Sequence, residues 1–192
     1  MAIRLVAGLG NPGPRYTHTR HNLGFRVVDL VGRRWGVSWT TTPVAAVATR
    51  GRHPVLVKPL GYMNRSGEAL SVVLEEHAIS TEDMLVVVDD VDLPLGTLRL
   101  RPSGGPGTHN GMRDLCEHLG TEFARLRLGV CGEAPWDDLA AYVLEGFQDV
   151  EAPVVERMVA AAADAIELAC RDGVESAMNR VNRRVPLSAD PG

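Results

Sequence analysis

Two short, uninterrupted apolar runs, at residues 3–7 and 84–88, most constrain the fold of this chain. An apolar run without polar residues at alternate positions predicts a strand that is covered on both faces, as in a sheet packed between helices. Strand and helix patterns interleave along the rest of the chain, which is typical of such a sheet. We therefore predict an α/β fold, a single-domain mixed β-sheet flanked by helices on both faces.

The remaining elements follow from spacing. Leu23, Val27, Leu30, Val31 and Trp35 recur at helical spacing, and Gly36 stands where a helix stop is expected. Because of Pro12 and Pro14, we expect no helix to start before about His21. Residues 37–58, rich in Val, Thr and Ala, predict short strands paired as hairpins. The other predicted strands cover residues 97–101 and 125–131, and the other predicted helices cover 63–77, 110–119, 137–144, 153–171 and 174–182.

Composition supports one domain. The chain has 192 residues, of which 45% are hydrophobic, which is enough for one core, and no break in composition suggests a second. We assign residues 1–185 to the domain and 186–192 to a flexible tail. No apolar run approaches a membrane span, the start of the chain lacks signal-peptide features, and three scattered cysteines suit free thiols in a reducing compartment. We therefore expect a cytoplasmic location.

Gly8, Gly10 and Gly13 match the G-x-G-x-x-G spacing of a dinucleotide-binding turn. However, the two prolines prevent a helix from following directly, and the acidic residue expected about 20 residues further on is missing. We therefore interpret the loop as a support for side chains, chiefly Asn11, Tyr16 and His21, and expect no cofactor.

Polar clusters follow several predicted strands, and ligands bind at such strand ends in α/β sheets. The clusters are residues 11–21, Tyr62-Met63-Asn64, residues 89–92 and, after a glycine-rich loop, His109-Asn110. Together they supply an imidazole, carboxylates and carboxamides without a compelling nucleophile. This set suits a histidine base, oriented by an aspartate, that activates water while asparagines bind carbonyls or an oxyanion.

Each residue also has a structural interpretation. His21 alone could cap a helix or lie in the core, and Asn11 and Asn64 could be turn residues. Asp89 and Asp92 could cap a loop or bind magnesium. His18 and His21 have H-x-x-H spacing, but no further ligands accompany them, so we expect no metal site.

Arginines alternate along two predicted strands, Arg99 with Arg101 and Arg125 with Arg127. Alternation puts each pair on one face of its strand, and Arg113 follows the glycine-rich loop. Although the formal net charge is −4, these residues can form a local phosphate-contacting surface. A solvated face with scattered ion pairs is the alternative.

Five segments, in this order and spacing, make the pattern specific: GLGNPGPRYTHTRHNLGF, KPLGYMNRSG, VVDDVDLPLGTLRLR, GGPGTHNGMRDL and RLRLGV. From about residue 3 to 182 the chain closely resembles bacterial-type peptidyl-tRNA hydrolase. The resemblance implies a monomeric, cofactor-free and metal-independent α/β enzyme. Its substrate is peptidyl-tRNA, bound by its acceptor end and nascent peptide, and it cleaves the ester between the peptide and the terminal ribose. No membrane or stable protein partner is implied.

The resemblance also implies residue roles. His21 is the base, Asp89 its supporting carboxylate, and Asn11 helps to distinguish a blocked from a free amino group. Tyr16, Tyr62, Asn64 and Asn110 line the site for the peptide and the tRNA end, and Met63 shapes its floor. The arginine strands add Arg99, Arg101 and Arg127 as candidate tRNA contacts.

One segment departs from the family pattern. The family usually continues Gly-x-Gly, then a basic residue with Pro, whereas this chain has Cys131, Gly132 and Glu133 in the corresponding stretch. The departure puts in doubt how the end of the predicted strand at residues 125–131 contacts tRNA. A non-catalytic RNA-binding relative is the main alternative, and the presence of His21, Asn11 and Asp89 argues against it.

Overall fold

The structure, a computed structural model, describes residues 2–132 and 138–182, and these ranges form one seven-stranded sheet and six α-helices. The strands are β1 (Leu5–Gly8), β2 (Thr40–Thr41), β3 (Ala45–Ala48), β4 (Val55–Pro59), β5 (Met84–Pro94), β6 (Leu98–Arg101) and β7 (Ala124–Cys131). The helices are α1 (Leu23–Trp35), α2 (Ser66–Glu76), α3 (Asn110–Leu119), α4 (Leu139–Leu144), α5 (Ala152–Asp172) and α6 (Val174–Val181).

The sheet is mixed, as predicted. Its strand order is β2-β3-β4-β1-β5-β7-β6. The four inner strands β4, β1, β5 and β7 are parallel, whereas β2-β3-β4 and β6-β7 pair antiparallel at the two edges. The carboxyl ends of the parallel strands therefore meet at one edge of the sheet.

Helices cover both faces of the sheet, which the alternation of buried side chains along β1 makes visible. Val6 belongs to the apolar core that includes residues of α1, α5 and α6, whereas Leu5 and Ala7 belong to the core that includes residues of α2 and α3. All three side chains have no solvent exposure. Because successive strand residues point to opposite faces, an unbroken apolar run is what a sheet covered on both sides requires.

The predicted elements are confirmed with some differences in extent. The strand predicted at residues 84–88 continues to Pro94, because β7 pairs with it through Asp90 before the register shifts. The chain also forms 3₁₀ turns at Pro14–Tyr16 and Arg20–Asn22, and α1 begins only at Leu23. Gly36 ends α1 in the left-handed conformation, with φ 62°.

Some sequence-based predictions fall partly outside the described residues. These are the helix start at Asp137, the departure at Glu133 and the tail at residues 186–192. The three cysteines are free and half-buried, and burial raises the pKa of Cys170 to about 12. Among the described residues, no helix has both the length and the apolar character needed to cross a bilayer.

Glycine allows the first turn of α1 to lie directly on the sheet. A Cβ atom on Gly24 would stand 2.5 Å from the carbonyl oxygens of both Leu9 and Val87. The Phe25 N–H donates to the Leu9 carbonyl at 3.2 Å, which fixes the same approach. The residues just before α1 are thereby held against the ends of β1 and β5.

We expect Gly24→Ala to destabilise the fold by about 1–3 kcal/mol or more, because the obstructing atoms are backbone and cannot rotate away. Gly105→Ala is the matched control, since a Cβ there meets nothing within 4 Å. Urea unfolding of both variants measures the difference. Equal stability of the two would contradict the close packing of α1 on the sheet.

Candidate active site

Three elements bring side chains together at the carboxyl ends of the parallel strands. The turn Arg20–Asn22, directly before α1, carries His21; β5 carries Asp89; and His109 is the N-cap residue of α3. All three side chains are at least nine-tenths buried. The sequence predicted that His21 and Asp89 meet, and they do.

Asp89 lies between two imidazoles. His21 Nδ1 is 3.0 Å from both carboxylate oxygens, and His109 Nε2 is 3.1 Å from Oδ1. Burial alone would raise the pKa of Asp89, but the two histidines beside it together hold that pKa well below its ordinary value. Asp89 is therefore a carboxylate throughout the physiological pH range.

The hydrogen-bond partners fix which ring nitrogens carry protons. His109 Nδ1 accepts the Met112 N–H at 3.1 Å, so its proton is on Nε2 and is donated to Asp89. His21 donates from Nδ1 to the same carboxylate, which leaves its Nε2 unprotonated in the neutral ring. The site therefore presents one imidazole nitrogen that can accept a proton.

By residue type, His21, Asp89 and His109 could also hold a metal ion. The contacts argue for hydrogen bonds instead. Their N···O separations of 3.0–3.1 Å are hydrogen-bond lengths. To bind a metal through Nε2, His109 would have to carry its proton on Nδ1, and it would then lose the Met112 N–H that caps α3. The expectation that these residues bind no metal therefore stays a prediction.

Asn11 is fixed next to this cluster by two neighbours. Its side-chain oxygen accepts the Met63 N–H at 2.8 Å, so its NH₂ group remains the donor that can reach a ligand. Asn22 clamps the backbone of Asn11: it accepts the Asn11 N–H at 2.8 Å and donates to the Asn11 carbonyl at 2.9 Å. Since Asn22 follows His21 in the chain, one buried pair sets the positions of both predicted site residues.

The other predicted ligand-binding residues lie around this centre with different exposure. Met63 is buried, as a residue on the floor of a site requires, and Tyr62 and Asn64 on either side of it are exposed. Asn110 is the exposed first residue of α3. Tyr16 is half-buried, and its ring lies beside the Arg15 guanidinium.

A pocket of about 410 Å³ opens beside His21. Its walls are the ends of β5 and β7, the glycine-rich loop of residues 104–108, the start of α3, and α4. None of its lining residues within the described chain is a serine or cysteine. The pocket therefore offers an imidazole base but no thiol or serine hydroxyl as a nucleophile.

Helix α4 is tied to the turn that carries His21. Arg20 is buried; it donates to the Gly146 carbonyl at 2.7 Å, pairs with Glu151 at 2.9 Å, and stacks its guanidinium over the rings of Tyr142 and Phe147. Separately, the Tyr142 hydroxyl donates to Val130 O at 2.6 Å and accepts the Gly132 N–H at 3.0 Å. Helix α4 thus contacts both the turn before α1 and the end of β7.

The side chains of the four arginines of β6 and β7 lie on one face of the sheet, but they differ in exposure and in their partners. Arg99 pairs in register with Arg127, and Arg101 with Arg125. Arg99 and Arg101 are exposed, whereas Arg127 is 30% exposed and lies 2.6 Å from Asp90. The prediction that both arginines of β7 can contact phosphate is therefore wrong for Arg125, which is buried.

Arg125 instead holds the glycine-rich loop. Its guanidinium donates to the carbonyl oxygens of Gly104, Gly105 (3.0 Å), Thr121 (2.9 Å) and Phe123 (3.1 Å). The loop leads directly to His109 and α3, so this cation helps to set where the second imidazole stands.

Sequence reasoning assigned no separate role to His109 or Asn22, and it gave Arg125 a phosphate contact instead of its structural role. His109 had a usable signal, because a His-Asn pair after a glycine-rich loop stands where a helix cap is expected. Asn22 and Arg125 have none, since their partners are backbone groups that only the fold brings near.

An α/β sheet with a buried His–Asp pair at its strand ends, and no serine or cysteine among the described residues that line the pocket, has the features of a hydrolase that activates water. Residues 5–188 match the family model described as peptidyl-tRNA hydrolase. The chain is 46% identical to the peptidyl-tRNA hydrolase of Synechococcus sp. (strain JA-3-3Ab), covering 95% of this chain and 84% of that protein. It is 44% identical to the enzyme of Chloroflexus aggregans, covering 93% and 98%. The solved peptidyl-tRNA hydrolase of Acinetobacter baumannii is 32% identical, with a TM-score of 0.90 over 96% of both chains. The chain therefore belongs to the peptidyl-tRNA hydrolase family.

We expect Arg125→Met to destabilise the protein by about 2 kcal/mol or more, because the carbonyl oxygens of Gly104, Gly105, Thr121 and Phe123 lose a charged donor and hydrogen bonds to charged groups are worth about 1.5–3 kcal/mol each. Arg101→Met is the matched control: it lies opposite Arg125 in register but is exposed, so its effect stays within about 0.5 kcal/mol. Urea unfolding gives both values. A loss for Arg125→Met no larger than for its control would mean that the buried guanidinium does not hold the loop.

Proposed function

We propose that His21, supported by Asp89, activates the water with which this peptidyl-tRNA hydrolase cleaves the ester between peptide and tRNA. The observation that carries the proposal is the contact of His21 Nδ1 with both Asp89 oxygens at 3.0 Å, which leaves Nε2 as the proton acceptor. An ester is an activated acyl group, so a positioned water and a base suffice without a metal or a covalent intermediate.

The steps follow from this arrangement. His21 Nε2 takes a proton from water as the water oxygen bonds to the ester carbonyl carbon, and the carbonyl oxygen becomes an oxyanion. The charge of Asp89 stabilises the imidazolium that forms. As the tetrahedral intermediate collapses, the bond to the ribose oxygen breaks and His21 returns its proton to that oxygen. The products are the free peptide carboxyl and the tRNA hydroxyl.

Asn11 accounts for selection of a blocked amino group. Because its side-chain oxygen is occupied by the Met63 N–H, it presents its NH₂ group to the substrate. A peptide bond offers a carbonyl oxygen that accepts from this group, whereas a free aminoacyl ester offers an ammonium, which is a second donor. Two donors facing each other disfavour binding, so peptidyl-tRNA is selected over aminoacyl-tRNA.

The remaining residues divide between peptide and tRNA. We assign Met63 to the floor of the site and Tyr16, Tyr62, Asn64 and Asn110 to contacts with the peptide and the tRNA end. Exposed Arg99 and Arg101, with Arg127 beside them, form the surface for tRNA phosphates. We also expect a monomer that works in the cytoplasm.

A non-catalytic RNA-binding role is not favoured. Burying the Asp89 carboxylate costs free energy unless partners compensate its charge. A protein that only binds RNA gains nothing from such a buried His–Asp contact. At the departure from the family pattern, the Gly132 N–H donates to the Tyr142 hydroxyl at 3.0 Å, and Glu133 lies outside the described residues.

His21→Ala is expected to lower kcat for N-blocked aminoacyl-tRNA by about 10²–10⁴, since proton transfer to a positioned base is worth that much. Binding of tRNA stays close to wild type because the phosphate surface is unchanged. Single-turnover hydrolysis and a filter-binding titration measure the two effects, and a chelator leaves the wild-type rate unchanged. Activity of His21→Ala within threefold of wild type would remove His21 from the mechanism.

Arg99→Gln and Arg101→Gln are each expected to raise KM more than they lower kcat. Each also reduces the slope of log affinity against log salt by about 0.7–0.9, the contribution of one phosphate contact. Arg127→Gln changes the slope less, because Asp90 already offsets its charge. Arg171→Gln on α5 is the control, an exposed arginine paired with its neighbour Asp172. Equal slopes for wild type, Arg99→Gln and Arg101→Gln would place tRNA elsewhere.

A further inference from the structure

We propose that His109 is a positioning residue of this hydrolase: a neutral hydrogen-bond donor that holds the Asp89 carboxylate in place against His21. The proposal rests on the proposed function of His21. It concerns a residue that does not itself take a proton from water, since the nitrogen not facing Asp89 is already occupied.

Two hydrogen bonds define the ring of His109. Nδ1 accepts the Met112 N–H at 3.1 Å as the N-cap contact of α3, and Nε2 donates to Asp89 Oδ1 at 3.1 Å. The side chain is only 10% exposed, and its ring centroid is 4.6 Å from that of His21. With both nitrogens engaged and the ring packed, neither the tautomer nor the orientation can change without breaking a contact.

The same geometry keeps His109 uncharged. A second proton would have to be on Nδ1, where it would face the Met112 N–H, so the helix cap would be lost. The ring can donate to Asp89 without placing a positive charge beside His21. A lysine or arginine in its place would donate equally well but would oppose formation of the His21 imidazolium.

The other charged groups near the pocket do not replace this contact. Asp90 is paired with Arg127, Arg125 is engaged by backbone carbonyls, and Asp138 caps α4 by accepting the Ala140 N–H. Asp89 Oδ1 is shared by the two imidazoles, whereas Oδ2 contacts His21 alone. Without His109, the carboxylate keeps one side-chain partner among the described residues, His21, and gains freedom to turn away from it.

His109→Asn separates the two contacts of the ring. Asparagine is among the best N-cap residues, so its side-chain oxygen can accept the Met112 N–H and preserve α3, but it is too short to reach Asp89 as well. His118→Asn is the matched control, a histidine on the same helix that is 42% exposed on its side chain.

We expect His109→Asn to melt within about 3 °C of wild type because the cap is kept. Its kcat falls by about tenfold or more with KM within twofold, since a misplaced base lowers the rate of the chemical step. The acid limb of the pH–kcat profile moves to lower pH, because a carboxylate that turns away from His21 stabilises its imidazolium less. Asp89→Asn removes the charge and moves the same limb to lower pH. His118→Asn changes neither quantity.

Two outcomes overturn the proposal. One is a kcat for His109→Asn within twofold of wild type with an unmoved acid limb. The other is a loss of activity fully matched by a lower melting temperature, which would make His109 a helix cap only. Assaying His21→Ala alongside shows whether the proposed role of His109 or the proposed role of His21 has failed. If His21→Ala stays active, His21 is not the base; if it is inactive while His109→Asn behaves as wild type, only the role of His109 is lost.

Discussion

The negative charge of a buried carboxylate must be compensated by donors or cations close by. At Asp89 this requirement determines which side chains surround the site. Its exposure is 3%, so a charge there is favourable only with partners close by. The partners are His21, just before α1, and His109, at the start of α3. These two residues are 88 positions apart in the sequence. Placing both against one residue of β5 requires the parallel strands, the close approach of α1 and the held glycine-rich loop at once.

Asp90, the residue after Asp89, shows how strongly the surroundings of a carboxylate set its pKa. Asp89 and Asp90 are adjacent on β5, and strand geometry turns them to opposite faces. Two histidines hold the pKa of Asp89 below its usual range. Burial raises the pKa of Asp90, and the backbone contact with Asp92 and the charge of Arg127 offset this only in part. One carboxylate thus pairs with two imidazoles, while the other pairs with the guanidinium of Arg127.

Local pattern was sufficient to predict most of the fold. The apolar runs, the helical spacing and the stop at Gly36 depend on near neighbours in sequence, and the structure confirms them. The pairing of His21 with Asp89 was predicted from the resemblance to the family, and the polar clusters at the strand ends were consistent with it. The contact of Asn11 with Met63 belongs to the same edge of the sheet.

What the sequence could not predict depends on tertiary packing. Arg125 and Arg127 have identical spacing and chemistry, yet one is buried under the glycine-rich loop and the other pairs with Asp90 at the pocket. Likewise, β5 looked complete at residue 88 because polar residues follow. Pairing with β7 continues the strand through them, since their side chains find buried partners.

The link between α4 and the turn before α1 has a mechanical consequence. Arg20 precedes His21 by one residue, and its guanidinium is enclosed by the rings of Tyr142 and Phe147. A displacement of α4 away from the pocket therefore pulls on Arg20 and, through it, on the backbone next to His21. The α4 wall of the pocket and the orientation of His21 are thus coupled through Arg20, so a change in one changes the other.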